Sequence, residues 1–107
     1  MSSDNIQIID TEQAKVLKCP DYFDISLVAD LHDSLRQLIE DKPARVILDS
    51  QDIEIVDTAI LQTLCAFIQD AGQADIDVSW SNVTDVVCQS AHLLGLAPAL
   101  NLECVAN

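Results

Sequence analysis

Along the chain, hydrophobic residues alternate between strand-like and helix-like spacing. Short apolar or alternating runs bounded by polar residues are typical of β-strands. The run Val46-Ile47-Leu48 is uninterrupted between charged residues, which predicts a central strand covered on both faces. The segments that fit strands are residues 6–9, 14–19, 46–48, 53–56 and 76–80.

Between these segments, apolar residues recur every three or four positions, which predicts helices. A first helix runs from Leu27 onward, with Ser26 available as its N-cap and Pro43 just beyond its end. A second helix follows Asp57, whose carboxylate can cap the free amides of the first turn, and Gly72 can end that helix.

The same spacing predicts a third helix, which Asn82 can cap and Gly95 can stop. Strands alternating with helices indicate an α/β (α+β) domain with a mixed β-sheet of four to five strands and helices mainly on one face. A chain of 107 residues buries one core, so residues 1–107 are interpreted as a single domain. The predicted core residues are Val46, Ile47, Leu48, Leu61, Leu64, Ile68, Val87 and Leu94.

The net charge of the chain limits the kinds of molecule that it is expected to bind. Eighteen Asp and Glu against five Lys and Arg give a formal net charge of −13, which disfavours binding to nucleic acid and to anionic membranes. All five basic residues precede Val46, whereas the nine acids from Asp49 onward have no cation among them. This asymmetry serves solubility, or it favours a basic protein partner.

Candidate chemical sites are few. The two glycines, Gly72 and Gly95, cannot form the common nucleotide-binding loops, and the acids from Asp49 to Asp57 lack the pattern of a calcium loop. No enzyme activity, metal or cofactor is therefore predicted. The chain shows neither a signal-like start nor a membrane-length apolar run, which favours a cytoplasmic protein. Its four cysteines form no C-x-x-C pair, so reduced thiols are expected.

The pair Asp57-Thr58 stands where an apolar segment ends and the second helix begins. This position puts the Thr58 hydroxyl near unpaired amides and the positive end of the helix dipole, which suits a phosphate acceptor. The alternative is a helix-start residue whose hydroxyl bonds locally.

Residues 45–49, a polar turn and then residues 55–61 resemble the signature of STAS domains, the fold of anti-sigma factor antagonists. Residues 22–24 and 27–31 resemble the family's segment before and within its first helix, and residues 92–96 resemble its last helix. The similarity covers about residues 14–102. Within the family, the pattern is most similar to small stand-alone STAS proteins encoded beside bacterial chemotaxis genes.

The resemblance implies a non-enzymatic protein-interaction module of bacterial signalling. A partner, either an anti-sigma-factor-like kinase or another signalling protein, would dock around the start of the second helix, and the position that the kinase phosphorylates is here Thr58. Thr replaces the family's Ser, and Ile60 replaces a Gly, which puts a bulky side chain where a kinase would approach. The implied partner-binding residues are Asp24, Asp57, Thr58, Ala59, Ile60 and Gln62.

Two alternatives remain open. A STAS subunit of a lipid-transport ABC complex would use the same helix to contact the ATPase. A small-ligand-binding domain would show a concave polar pocket.

Overall fold

The computed structural model describes residues 6–102 and residue 104. Its six strands include one in each of the five predicted segments and an additional one at Tyr22–Phe23, and it has the three predicted helices and a short 3-10 turn at Ile25–Leu27. The strands are β1 (Gln7–Asp10), β2 (Lys15–Lys18), β3 (Tyr22–Phe23), β4 (Arg45–Asp49), β5 (Ile55–Val56) and β6 (Asp77–Ser81). The helices are α1 (Val28–Asp41), α2 (Thr58–Gln73) and α3 (Asp85–Leu93).

Four strands form one mixed sheet in the order β1-β2-β4-β6. β1 pairs with β2 antiparallel, and β4 lies between β2 and β6 with both pairings parallel. The predicted central position of β4 and the predicted mixed sheet are therefore confirmed. The remaining two strands, β3 and β5, form a separate parallel pair.

The two faces of the main sheet differ in burial. Val46 and Leu48 of β4 are fully buried in one cluster with residues of α1 and α2, whereas Ile47 on the opposite face is half-buried. The expectation that this strand is covered on both faces is therefore wrong, because α1 and α2 pack against the same side of the sheet. The other helix, α3, packs beside β5.

Most of the predicted core is confirmed. The buried set includes Val46, Leu48, Leu61, Leu64, Ile68 and Val87. Two predicted core residues are exceptions. Ile47 is half-buried on the other face of β4. Leu94 has 44% of its surface exposed, because α3 ends at Leu93 and the chain then turns away through a left-handed Gly95. The Gly95 and Leu96 amides bond back to carbonyls of the last helical turn, so Gly95 is the stop that the sequence predicts.

Three helix ends differ from the prediction. Asp24, rather than Ser26, caps the turn before α1, and its carboxylate accepts a bond from the Ser26 amide at 3.0 Å. Gly72 lies inside α2. The residue with a left-handed backbone conformation after this helix is Asp75. Thr84 holds the N-cap position of α3, although the sequence suggested Asn82. The cap at the first helix lies two residues before the predicted one, α2 ends one residue after Gly72, and the cap of α3 lies two residues after the predicted one.

The expectation of four reduced thiols is also wrong. Cys88 of α3 and Cys104 are joined by a disulfide with a Cα–Cα distance of 5.8 Å. The chain after α3 returns to the core, where Leu100 and Leu102 are buried, and this return brings Cys104 to the helix. Spacing along the sequence could not reveal this approach.

Within the described part of the chain, none of the helices combines the length and the apolar character that crossing a membrane requires.

The burial of Leu64 predicts a large loss of stability on truncation. Leu64→Ala should lower the free energy of unfolding by about 2 to 5 kcal/mol, since a fully buried Leu loses both transfer energy and packing. Leu93→Ala is the matched control, because Leu93 is 84% exposed and its loss should change stability by no more than about 0.5 kcal/mol. Chemical denaturation measures both, and equal midpoints for the two variants would contradict the assignment of the core.

Candidate functional site

The short β3–β5 pair brings two distant parts of the chain side by side. Tyr22 lies opposite Ile55, and Phe23 lies opposite Val56, in parallel register. The backbone contact continues past the strands, since the Asp57 amide donates to the Phe23 carbonyl at 3.0 Å. The segments that follow, the turn before α1 and the start of α2, therefore lie next to each other.

Asp57 joins these two segments through its side chain. It occupies the N-cap position of α2 but makes no side-chain bond to that helix, contrary to the expectation from the sequence. Its Oδ2 instead accepts the amide of Ile25 at 2.8 Å, across 32 residues of sequence. The first turn of α2 is closed by the Asp57 carbonyl, which accepts the amides of Ile60 and Leu61. The Asp57 carboxylate therefore fixes the two helix starts relative to each other.

Asp24 lies directly beside this link. Its carboxylate accepts bonds from both the amide and the hydroxyl of Ser26, which closes the 3-10 turn. This 3-10 turn also holds the backbone amide of Ile25, which donates to the Asp57 carboxylate. Asp24 and Asp57, which the resemblance places at one end of the fold, are thus parts of one connected arrangement.

The remaining predicted site residues lie on the first turns of α2. Thr58 and Gln62 are exposed, and Ala59 is half-buried. Ile60 is fully buried among the core side chains, so it is not accessible to a partner. The bulky side chain at this position consequently does not obstruct the approach to Thr58.

The structure adds three apolar residues that sequence reasoning missed. Tyr22, Ile25 and Ile55 are 54%, 66% and 50% exposed. Tyr22 and Ile55 are direct neighbours across the β3–β5 pair, and Ile25 is bound to Asp57 through its amide. The only signal in the sequence was a bulky residue at each position, because the pairing that joins them involves strands of two residues each. We call the residues Tyr22, Asp24, Ile25, Ile55, Asp57 and Thr58 the β3–β5 surface.

This surface is acidic as well as apolar. Glu54 is exposed beside Ile55, and Asp21 is half-buried beside Tyr22. No Lys or Arg occurs between residues 19 and 35 or after Arg45 in the sequence. The nearest basic residue before β3, Lys18, lies 3.7 Å from an Asp52 carboxylate oxygen. Four carboxylates, those of Asp21, Asp24, Glu54 and Asp57, therefore lie within or next to this surface along the chain.

A groove of about 250 Å³ lies elsewhere, between the outer faces of α1 and α2. His32, Arg36, Glu40 and Asp70 contribute charged or polar groups to it, and Phe67 is among its apolar residues. None of the predicted site residues lines this groove. Among the described residues, no three His, Cys, Asp or Glu side chains converge in a way that could hold a metal ion.

Comparison with known proteins places this arrangement in a family. The family model described as "Mlab, STAS domain" matches residues 7–102, which is most of the chain. In a comparison with curated proteins, no sequence matches the chain.

Solved structures share the fold. An anti-sigma factor antagonist from Mycobacterium paratuberculosis has a TM-score of 0.77 at 18% identity, over 94% of this chain and 86% of that one. SpoIIAA, a Bacillus cell fate determinant in its phosphorylated form, has a TM-score of 0.69 at 11% identity, over 96% and 93%. A sulfate transporter family protein from Wolinella succinogenes has a TM-score of 0.71 at 18% identity, over 86% and 75%.

At these identities the structural likeness establishes the fold, and the family match establishes the membership. The resemblance to STAS domains is confirmed, whereas the resemblance to proteins encoded beside chemotaxis genes stays a prediction. The chain belongs to the STAS domain family, in the group described as Mlab, STAS domain.

Proposed function

We propose that this protein is a non-enzymatic interaction module of bacterial signalling that docks on a partner protein through the β3–β5 surface. The observation that carries the proposal is the exposure of three large apolar side chains, Tyr22, Ile25 and Ile55, around the Asp57 link. Adjacent exposed apolar residues rimmed by polar groups are typical of protein-binding sites. The likeness to anti-sigma factor antagonists, whose fold the chain shares, supports a signalling partner.

The chemistry of the surface defines the partner. Apolar side chains would pack against Tyr22, Ile25 and Ile55, and basic side chains would pair with the surrounding carboxylates. Opposite charge accelerates encounter, while the apolar contacts supply most of the affinity. The partner therefore has a basic surface with an apolar centre.

Thr58 is the proposed switch of this surface. It is exposed at the first residue of α2, next to the Asp57 link. A phosphate at this position is favoured by the helix dipole by about 0.3 to 1 kcal/mol, so the fold tolerates it. The same phosphate adds charge beside the apolar side chains of the surface and disfavours their burial against a partner. Phosphorylation of Thr58 is proposed to occur in the cytoplasm and to be carried out by a partner kinase.

A second candidate partner is a transport complex. The fold recurs in a sulfate transporter family protein, at a TM-score of 0.71. This observation favours the alternative in which the chain is a STAS subunit of a transport complex, such as a lipid-transport ABC complex, and docks on its ATPase. The β3–β5 surface would serve either partner.

The two candidates are separated by identifying what the surface binds. Wild-type protein and an Ile25→Asp variant are used to capture partners from native lysate, with Leu93→Asp as the control for an added charge at another exposed apolar position. A partner lost only with Ile25→Asp is assigned to the surface. A signalling kinase or sigma-factor regulator supports the first candidate, and a transport ATPase supports the second. Equal capture by all three proteins would reject this surface as the docking site.

An acidic substitution at Thr58 should weaken binding without unfolding the protein. Thr58→Glu is expected to lower affinity for the captured partner by at least about tenfold, near 1.4 kcal/mol, while Thr58→Ala binds like wild type. Gln73→Glu, at the opposite end of α2 about 22 Å away, adds the same charge as a control. Titration calorimetry and thermal denaturation measure the set. Equal affinities for wild type, Thr58→Glu and Thr58→Ala would identify Thr58 as a structural helix-start residue.

Removing the Asp57 carboxylate should loosen the surface. Asp57→Ala leaves the Ile25 amide without its acceptor, which is expected to reduce the free energy of unfolding by about 1 kcal/mol and to weaken partner binding. Asp57→Asn keeps an acceptor oxygen and should lose less of both. Denaturation curves and affinities are compared for the two variants, and an identical loss for Asn and Ala would mean that the bond does not organise the surface.

Association with the partner should depend on salt. With nine acids and no Lys or Arg after Arg45, the rate constant for association with a basic partner is expected to rise as ionic strength falls. Stopped-flow measurement between low and high salt tests this expectation. A rate constant that does not depend on salt would mean that the acidic residues serve solubility and not partner binding.

A further inference from the structure

The Cys88–Cys104 disulfide closes the chain on itself at its C-terminal end. Cys88 lies in the middle of α3, and Cys104 lies 16 residues later, beyond the segment that follows the helix. The bond therefore encloses the left-handed turn at Gly95 and all of residues 96–102 in a covalent loop.

The enclosed segment makes a hydrogen bond to Trp80 and packs on the core through four apolar residues, Leu96, Ala97, Leu100 and Leu102. Leu100 is fully buried, and Leu102 is nearly so. The indole Nε1 of Trp80, on the edge strand β6, donates to the Leu100 carbonyl at 2.7 Å. The segment is otherwise made of local turns, in which Leu100 bonds to Leu96 and Leu102 bonds to Ala97. The disulfide adds a covalent tie at the far end of this segment.

The four cysteines differ in their access to solvent. Cys88 and Cys104 are both half-buried. Cys19 is buried, and this burial, with a smaller contribution from Asp49, raises the pKa of its thiol to about 12. Burial also raises the pKa of Cys65. Because the thiolate is the reactive form, the Cys19 thiol is a poor participant in exchange at neutral pH.

The compartment decides what such a bond does. Permanent structural disulfides belong to oxidising compartments, whereas disulfides of proteins in the cytoplasm are transient and respond to the redox state of the cell. The proposed cytoplasmic location of this protein fits the second kind, and the inference that follows rests on that location.

We propose that Cys88 and Cys104 form a redox-responsive latch that exchanges with low-molecular-weight thiols and disulfides of the glutathione class. In the closing direction, the thiolate of one cysteine attacks a sulfur of oxidised glutathione and releases one glutathione thiolate. The second cysteine then attacks the mixed disulfide and releases the other. The protein loses two electrons and two protons, and one molecule of oxidised glutathione becomes two of the reduced form.

Opening the latch changes the C-terminal end of the domain. With both thiols reduced, the segment after Gly95 keeps its apolar packing and the Trp80 bond but loses its covalent tie, so it detaches more often. α3 packs beside β5, which makes the latch a neighbour of the strand that leads into Asp57. The latch itself is independent of the proposed docking function and can be tested without a partner.

The chain provides its own probe for the latch. Trp80 is the only tryptophan of the 107 residues, and its indole bonds to the segment that the disulfide encloses. Release of the segment exposes the indole and should shift its fluorescence emission to longer wavelength. The fraction of the disulfide is measured in parallel by alkylation and mass spectrometry, which distinguishes two from four modified cysteines.

The experiment equilibrates the full-length protein in buffers with graded ratios of reduced to oxidised glutathione. We expect one transition in which the disulfide is lost, Trp80 emission shifts, and the melting temperature falls by about 10 to 20 °C. Cys88→Ser should behave like the reduced wild type in every buffer. Cys65→Ser, which removes a free thiol, should give the same transition as the wild type.

Three results would overturn the proposal. The disulfide could persist in excess reduced glutathione, which would make it a permanent structural bond. It could fail to form in excess oxidised glutathione, which would make the two thiols unpaired. It could open without any change in Trp80 emission or melting temperature, which would mean that the disulfide does not hold the segment after Gly95 on the domain. Because the wild type in its two redox states supplies the comparison, the test holds even if Cys88→Ser folds poorly.

Discussion

Burial of β4 is the constraint on which the rest of the domain depends. Val46 and Leu48 can be fully buried only if α1 and α2 cover one face of the sheet and if β2 and β6 flank the strand on both sides. Both neighbours run parallel to β4, so all three strands end at the same edge. At that edge the Cys19 amide bonds to the Asp49 carbonyl, and the Ser50 amide bonds to the Ser81 carbonyl. The connections that leave β2 and β4 therefore start side by side.

The β3–β5 surface follows from this arrangement. Because the two connections start together, they can pair again as β3 and β5, and the amides of Glu54 and Ile55 bond to the Asp21 carbonyl just before the pairing begins. The pairing in turn brings the turn before α1 to the start of α2, where the Asp57 carboxylate closes the contact. A surface assembled from two loops thus has a rigid base. Its exposed side chains are held in place by the main sheet rather than by their own strands.

The sequence predicted those features that depend on local periodicity. The helices, the position of β4 and the stop at Gly95 were all visible as spacing, since burial of one face imposes a period on the residues that form it. Features that depend on contacts between distant segments were not visible. Asp57 had the residue type and position of a helix cap, yet the Ile25 amide competes for its carboxylate and binds it. Cys88 and Cys104 had no motif that could announce their approach.

The candidate site divides in the same way. The resemblance to STAS domains located the end of the fold at which Asp24 and Thr58 lie, because it carries information about tertiary structure that periodicity lacks. It could not tell that the Ile60 side chain turns into the core, since a Gly in the family gives no side-chain direction to compare. Nor could it reveal the exposed Tyr22 and Ile55, whose relation depends on a pairing of two residues.

The parallel pairings of β4 also determine the order in which the chain can fold. β1 and β2 are joined by a short turn and can pair early. Pairing of β4 with β2 requires the connection through α1, and pairing of β6 with β4 requires the connection through α2. Each of these parallel pairings closes a long loop, which is the slow step for sheets of this kind. Until β6 arrives, one edge of β4 presents unpaired amides and carbonyls beside the apolar Leu48. In chain order, β6 is the strand that covers this edge, and α2 is the helix that connects β4 to it.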